Sequence, residues 1–291
     1  PRARHEILRR GGTGGTAARR VAAPITFNLP LQLWPDLSSG NSYRRMLSRS
    51  LRSLPAALSL SFTTNMAAAT TATCQKAGVI FLHGLGDTPA GWSDIKHQMA
   101  QLNPKLASPE ITWDFPAAPV IPISVNGGAT MPGWFDLYDW PIDVTAPDDP
   151  AGTMRAVETI RGAIAKLEAA GVPTERIVVG GFSQGGAIAL NTAYRHPAKL
   201  GGCVALSGWL NMKADFAEGK EFPTEASKAT PCLWGHGAMD DKVLFPHQKI
   251  GVDLLTARGV TVDASNYPMG HSAHPEELAK LAAFLAGILF P

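Results

Sequence analysis

From Ala77 onward, short runs of apolar residues alternate with longer amphipathic segments. Most of the short runs are apolar throughout, which is typical of strands buried on both faces of a parallel sheet. We therefore predict an α/β fold, doubly wound, with a mostly parallel central sheet and helices on both faces. The predicted strands cover 77–82, 111–116, 176–181, 202–208, 230–237 and 260–268, and the predicted helices cover 91–103, 154–171, 185–196, 246–259 and 275–289.

The segment 117–149 interrupts this alternation. It is rich in proline, glycine and tryptophan and shows no clean helical or strand period. A long irregular stretch inside a compact domain is usually a functional loop or a cover over a site. We expect it to cover the site described below.

The net charge of +2 conceals two regions of opposite charge. Residues 1–73 contain ten arginines, no lysine and two acidic residues, whereas residues 74–291 contain 16 basic and 22 acidic residues. An acidic domain is a poor ligand for nucleic acid, so we exclude nucleic-acid binding. The chain has no uninterrupted apolar run of 18 residues, so no transmembrane segment is predicted, although transient contact with a membrane surface stays open.

The first 73 residues are rich in arginine and serine and poor in acids, a composition typical of an organelle transit peptide. A non-native upstream region is the alternative interpretation. In either case we expect residues 1–73 to be disordered and residues 74–291 to form a single domain. The three cysteines, Cys74, Cys203 and Cys232, have neither metal nor disulfide spacing, which indicates a reducing compartment. We expect a cytoplasmic protein, or a plastid or mitochondrial one if the leader is genuine.

One serine lies among glycines where a predicted strand ends and a helix begins, in the sequence Gly181-Phe182-Ser183-Gln184-Gly185. Between a strand and a helix, this G-x-S-x-G pattern predicts a nucleophile elbow. Glycines suit the turn because the strand and the helix approach each other closely there. The first N–H groups of the helix would lie beside the hydroxyl and could stabilise an oxyanion.

A nucleophilic serine needs a base, and the base needs an orienting acid. We predict His271 as the base because it follows the last predicted strand, at the same edge of the sheet as Ser183. The other downstream histidines are weaker candidates, since His236 precedes the acids, His247 begins a helix and His274 borders the last helix. The loop "WGHGAMDDKV" offers Asp240 and Asp241 as the acid, and the residues themselves leave that choice open.

The earlier turn "FLHGLGD" can supply a second oxyanion donor from the backbone of Gly84 or Leu85. We interpret His83 in the same turn as a structural residue that fixes the loop. The sequence predicts neither a metal ion nor a cofactor.

These motifs together resemble the acyl-protein thioesterases, a carboxylesterase and lysophospholipase-like family of α/β-hydrolases. The resemblance spans most of residues 76–290. It implies Ser183 as nucleophile, His271 as base and Asp240 as acid, with the N–H groups of Leu85 and Gln184 as oxyanion donors. The motifs, in family order, are "VIFLHGLGDT", "PAAPVIPISVNGGATMPGWFD", "GGFSQGGAIAL", "ALSGWL", "WGHGAMDDKV" and "YPMGHS".

One loop departs from the family pattern His-Gly-Asp-x-Asp-Pro. Ala238 stands where the family has its first aspartate, and Asp241 stands where it has proline. The aspartate that the resemblance implies as the acid is retained as Asp240. Loss of the proline bears on the rigidity of the loop.

The resemblance also implies an apolar acyl-binding channel under the segment 117–149. Trp134, Phe135, Trp209 and Leu210 are the residues we assign to it. The expected activity is hydrolysis of acyl thioesters or esters, above all depalmitoylation of S-acylated proteins. The alternatives are a general carboxylesterase or lysophospholipase acting on lipid or small acyl esters, and a non-catalytic receptor on the same fold.

Overall fold

The computed structural model describes residues 76–291. The predictions for residues 1–73 and for Cys74 lie outside these residues, and the cellular location stays a prediction. The bounds of the strands and helices are β1 Ala77–Leu82, α1 Pro89–Trp92, α2 Ile95–Leu102, β2 Ile111–Asp114, β3 Val120–Ile123, β4 Ala129–Pro132, α3 Pro150–Ala169, β5 Ile177–Phe182, α4 Gln184–Arg195, β6 Gly202–Leu206, β7 Cys232–Gly237, α5 Pro246–Ala257, β8 Val262–Tyr267 and α6 Pro275–Leu289. From α3 onward strands and helices mostly alternate, whereas β2, β3 and β4 follow one another.

Six of the strands form one sheet in the order β2-β1-β5-β6-β7-β8. Every neighbouring pair in this sheet is parallel, with Val79 opposite Val178 and Val179 opposite Cys203 in the central strands. The prediction of a mostly parallel α/β sheet is confirmed. Since the strands are parallel, the loops that follow β1, β5, β7 and β8 meet at one edge of the sheet.

Two apolar cores lie on opposite faces of this sheet. On one face, Ile80 and Val179 pack with residues of α3, α4 and α5. On the other, Val79 and Val178 pack with residues of α2 and α6. Consecutive strand residues therefore enter different cores, and both must be apolar. This explains why the central strands β1 and β5 are buried throughout and have no charged residue.

Two regions differ from the elements predicted by periodicity. The predicted helix 91–103 is two helices, because the chain turns at Ser93 and Asp94; only the second helix buries apolar side chains, Ile95 and Met99. The irregular segment 117–149 contains an antiparallel hairpin, β3–β4. Its four-residue strands each contain a proline and are only partly buried, so they show no strand period.

Among residues 76–291, no helix combines the length and hydrophobicity needed to cross a bilayer.

Candidate active site

Ser183 lies between the last residue of β5 and the first residue of α4, as the elbow pattern predicts. Its backbone has φ 56° and ψ −122°, a conformation that costs a non-glycine residue energy and persists only when its surroundings enforce it. The N–H of Ser183 donates to Leu206 O (2.9 Å), and its carbonyl accepts from Ala187 N (3.1 Å). These bonds hold the turn to β6 and to the first turn of α4.

The glycines around Ser183 are required by backbone packing. A Cβ on Gly181 would lie 2.4 Å from the carbonyl carbon of Gly185, and a Cβ on Gly185 would lie 2.3 Å from Leu82 O. In both cases the obstacle is backbone, which cannot rotate away. The elbow is thus pressed between α4 and the end of β1, and any larger residue would move the serine.

The structure brings Ser183, His271 and Asp240 into one chain of hydrogen bonds. His271 Nε2 lies 2.9 Å from Ser183 Oγ, and His271 Nδ1 lies 2.8 Å from Asp240 Oδ2. Because a carboxylate only accepts, Nδ1–H donates to Asp240, which leaves Nε2 to accept from the serine hydroxyl. All three side chains are largely buried. This geometry can withdraw a proton from the serine when the hydroxyl attacks.

The two candidate acids occupy different environments. The side chain of Asp240 is fully buried, and its Oδ1 accepts hydrogen bonds from the N–H groups of Lys242 and Val243, each at 2.9 Å. Burial alone would raise the pKa of Asp240, but the bonds and charge from His271 and the two backbone donors hold it below its ordinary value. The side chain of Asp241 is 72% exposed and pairs with Lys242. The structure thus distinguishes Asp240, which is buried and bonded to His271, from its sequence neighbour Asp241, which is exposed.

The other downstream histidines do not reach the serine. His236 is buried behind Asp240, where its Nε2 lies 2.9 Å from Val243 O and 3.4 Å from Asp240 Oδ2. His274 caps α6, since its Nδ1 accepts from Glu276 N. Upstream, His83 braces the β1 turn by donating from Nδ1 to Gly84 O (2.8 Å) and accepting at Nε2 from Ala118 N (3.1 Å).

Leu85 and Gln184 both border the space above Ser183 Oγ. The turn after β1 approaches the elbow so closely that a Cβ on Gly84 would lie 3.3 Å from Ser183 Cβ. Gly86 N donates to Pro132 O (2.8 Å), which ties this turn to β4. Within the described part of the chain, the Leu85 N–H donates no hydrogen bond. Leu85 and Gln184 therefore border the same cavity as Ser183, and their role as oxyanion donors stays a prediction.

Residues 64–289 match the phospholipase/carboxylesterase family. The chain belongs to this family. Over 219 residues it is 40% identical to acyl-protein thioesterase 1 of Gibberella zeae, covering 74% of this chain and 92% of the relative. Over 212 residues it is 38% identical to a probable carboxylesterase of Oryza sativa subsp. japonica, covering 72% of this chain and 77% of the relative.

Solved structures agree with this membership. The crystal structure of Arabidopsis thaliana SOBER1 superposes with a TM-score of 0.68 at 32% identity, covering 74% of this chain and 99% of that one. Zea mays acyl-protein thioesterase 2 superposes with a TM-score of 0.60 at 32% identity, covering 74% and 94%. The fold is that of the α/β-hydrolases, and the protein is an ester or thioester hydrolase.

The hydrolase has a cavity over the serine. Besides Ser183 and His271, its wall includes Leu137, Trp140 and Ile142 from the covering segment. A second cavity shares Leu137 and Ile142 with the first and is also lined by Phe135, Trp209 and Leu210. Three of the four residues assigned to substrate binding therefore line this adjoining space.

The fourth, Trp134, lines neither of these cavities. It is buried, its Nε1 donates to His83 O (2.8 Å), and its backbone N–H donates to Gln184 Oε1 (2.9 Å). The structure places it behind the cavity wall, where it joins the covering segment to the turn after β1.

Sequence reasoning missed the side chain of Gln184. Its Oε1 accepts from Trp134 N, and its Nε2 donates to Phe135 O (2.7 Å), so one buried amide satisfies two backbone groups of the covering segment. The other end of the segment is bonded to the acid loop, which is the loop after β7 that contains Asp240 and Asp241. Ile142 N donates to Lys242 O, and Leu244 N donates to Ile142 O. No local pattern announces these bonds, since the partners lie 49 to 102 residues apart.

An aromatic stack supports His271 from behind. The ring of Phe182 lies 4.7 Å from the imidazole, centre to centre, and Trp92 stacks on Phe182 at 5.0 Å. Phe182 directly precedes Ser183 in the sequence, and its ring contacts His271. It therefore adjoins two of the three hydrogen-bonded residues.

The residues 76–291 contain no group of three or more His, Cys, Asp or Glu side chains arranged to hold a metal ion.

Proposed function

We propose that this hydrolase cleaves acyl thioesters and esters with Ser183 as nucleophile, His271 as base and Asp240 as orienting acid, and that S-acylated proteins are its principal substrates. One observation carries the proposal: the unbroken chain from Ser183 Oγ through both nitrogens of His271 to the buried Asp240. A serine hydroxyl becomes an effective nucleophile only with such a base beside it.

In the first half-reaction, Ser183 Oγ attacks the acyl carbonyl carbon while His271 Nε2 takes the hydroxyl proton. The carbonyl oxygen becomes an oxyanion, which accepts hydrogen bonds from the N–H groups of Leu85 and Gln184. The C–S or C–O bond to the leaving group then breaks. His271 returns its proton to the departing thiolate or alkoxide, which leaves an acyl ester on Ser183.

In the second half-reaction, His271 takes a proton from water and the resulting hydroxide attacks the acyl-enzyme. A second oxyanion forms at the same backbone donors and collapses, the bond to Ser183 Oγ breaks, and His271 protonates that oxygen. The products are a free carboxylic acid and the restored serine. Asp240 stays ionised throughout and stabilises the imidazolium, which its depressed pKa favours.

The choice of acyl thioesters rests on relatives and on the cavity wall. A relative with 40% identity is named as an acyl-protein thioesterase, and the cavities beside Ser183 present apolar and aromatic side chains suited to a hydrocarbon chain. The second candidate, a general carboxylesterase or lysophospholipase, is favoured by the relative that is named a probable carboxylesterase. The same hydrogen-bonded chain serves both.

Covalent labelling tests the nucleophile. We expect a fluorophosphonate to modify Ser183 in the wild type and to leave Ser183→Ala unlabelled. The control Ser93→Ala, a serine on α1's C-terminal cap, should label like the wild type. Equal labelling of Ser183→Ala and the wild type would reject the assignment.

A substrate comparison tests the second part of the proposal. Values of kcat/KM for acyl thioesters, p-nitrophenyl esters and lysophospholipids should be measured across the same acyl chain lengths. We expect the thioesters of longer acyl chains to be the best substrates. A preference for lysophospholipids or short p-nitrophenyl esters would favour the second candidate and leave the nucleophile assignment intact.

A further inference from the structure

A row of three aromatic side chains leads from β1 to the imidazole of His271. Trp92 of α1 contacts Phe81 of β1, with 5.1 Å between the ring centres. It also stacks on Phe182 of β5, with 5.0 Å between the ring centres and 29° between the ring planes. Phe182 in turn lies 4.7 Å from the imidazole. Trp92 is therefore held against two neighbouring strands, and Phe182 connects it to His271.

The backbone leaves room for this row, and the row fills it. A Cβ on Gly180 would lie 3.2 Å from Phe81 Cδ2, so the Phe81 ring occupies space that a side chain at position 180 would need. A Cβ on Gly84 would lie 3.5 Å from Phe182 Cδ1. Phe182 is 5% exposed, and all three rings pack in the core that α2 and α6 cover. The Phe182 ring is thus closely packed and has little room to rotate.

The imidazole of His271 needs such a contact, because rotation about the Cβ–Cγ bond of a histidine has broad energy minima. In the free enzyme, hydrogen bonds to Ser183 Oγ and Asp240 Oδ2 orient its two nitrogens. In the acyl-enzyme, Ser183 Oγ is an ester oxygen without a proton, so it no longer donates to Nε2. The bond to Asp240 and the contact with Phe182 remain at the stage when Nε2 must take a proton from water.

We propose that Trp92 is a positioning residue, which keeps the Phe182 ring against His271 and so holds the imidazole in place for the attack of water on the acyl-enzyme. The proposal rests on the proposed function, since it concerns the step in which His271 activates water. The described residues that line the cavity over Ser183 do not include Trp92. Its substitution should therefore change turnover rather than substrate binding.

The first experiment compares Trp92→Leu with Trp113→Leu. Trp113 is the matched control, because it lies on the edge strand β2, is also partly buried in the same core, and stacks on Phe115 at 6.1 Å. Both substitutions should lower the melting temperature. Only Trp92→Leu should lower kcat for an acyl thioester, by about tenfold with KM changed less than about twofold, because small displacements of a catalytic group are costly.

Active sites are counted by fluorophosphonate labelling, so that kcat refers to folded enzyme. An equal kcat in Trp92→Leu and Trp113→Leu would overturn the proposal.

The second experiment separates the two half-reactions. A p-nitrophenyl ester releases p-nitrophenol on acylation, so a burst of absorbance appears when deacylation is the slower step. For Trp92→Leu we expect deacylation to slow by about tenfold and acylation by no more than about threefold, because Ser183 still bonds Nε2 before acylation. The burst should therefore grow relative to the steady-state rate. Acylation slowed as much as deacylation would indicate general loosening of the site and overturn the proposal.

The third experiment restores the ring. Trp92→Phe keeps an aromatic ring beside Phe182 and should turn over within about twofold of the wild type. If Trp92→Leu does not fold, Phe182→Leu removes the contact with His271 directly and should slow deacylation at least as much. A Trp92→Phe variant as slow as Trp92→Leu, or a Phe182→Leu variant with wild-type deacylation, would show that the row does not hold the imidazole.

The two proposals fail in different ways. Equal labelling of Ser183→Ala and the wild type would reject the proposed function. Turnover that depends on Ser183 but is unaffected by Trp92→Leu would reject only the positioning role of Trp92.

Discussion

The elbow at Ser183 and the segment 117–149 that covers it form opposite walls of one cavity, yet they take their shapes from different sources. The elbow is specified by the five consecutive residues 181–185, whose glycines permit backbone contacts that any Cβ would block. The covering segment is shaped by bonds to distant residues, from Gln184 at one end and from the acid loop at the other. Local sequence fixes the position of Ser183, and long-range contacts fix the space around it.

The largest expected effect breaks the elbow. Gly185→Ala places a Cβ 2.3 Å from Leu82 O and 2.7 Å from His83 O, so we expect loss of labelling together with loss of several kcal/mol of stability or of soluble protein. The matched control is Gly162→Ala in α3, where a Cβ meets nothing within 4 Å. That substitution should stabilise the protein by about 0.5–1 kcal/mol, because alanine favours a helix. Urea unfolding and labelling of both variants are the measurements. A Gly185→Ala variant as active and stable as the wild type would show that the elbow tolerates side chains.

The acid loop joins the two regions, because it carries Asp240 and is also bonded to Ile142 of the covering segment. Asp240→Asn should lower kcat by about 10⁴-fold, the usual effect of losing the orienting carboxylate. Asp241→Asn should change kcat by no more than about twofold, because an exposed ion pair contributes little. Steady-state kinetics check both. The reverse order would mean that Ala238 and Asp241 have moved the acid role within the loop.

A smaller effect is expected where the elbow holds the cover. Gln184→Met keeps the backbone N–H beside Ser183 but leaves Trp134 N–H and Phe135 C=O without their partner. We expect kcat/KM for long acyl thioesters to fall about tenfold, mainly through KM, and the melting temperature to fall by roughly 5 °C. Gln98→Met is the control, since that side chain bonds only the exposed Asp94. A fall in kcat with KM unchanged would indicate that Gln184 acts at the serine rather than on the cover.

The smallest effect on catalysis is expected at Glu277, which lies outside both regions and should change only the stability. Glu277 is buried at the start of α6. Burial raises the pKa of its carboxyl group from an ordinary value of 4.5 to about 7, although the hydrogen bond from His274 N acts in the opposite direction. The fold therefore favours the protonated form, so this contribution is complete below pH 4.5 and is lost as the pH rises through 7. The loss amounts to about 3 kcal/mol at most.

Glu277→Gln removes that dependence. The melting temperature of the variant minus that of the wild type should increase between pH 5 and pH 8.5, while the labelling rate of folded enzyme stays the same. A difference that is constant across this range would show that Glu277 does not titrate there.

The parts of the site that the sequence could predict are those that short patterns encode. Ser183 follows from a glycine pattern between a strand and a helix, and His271 follows from its place after the last strand. The choice between Asp240 and Asp241 needed either the family resemblance or the structure, because both carboxylates lie in one loop. Backbone donors from Lys242 and Val243 and the ring of His271 distinguish them in space.

The sequence by itself determined the parallel sheet, since its central strands are buried on both faces and are therefore apolar along their length. It also determined the last helix, from Pro275 to Leu289. Only the tertiary structure decided the hairpin β3–β4, the buried place of Trp134 and the lining of the second cavity by His247. The physical reason is the range of the interactions. The period of apolar residues shows which face of a helix or strand is buried. An irregular segment is shaped by hydrogen bonds to residues far along the chain, and such bonds produce no periodic pattern in its own sequence.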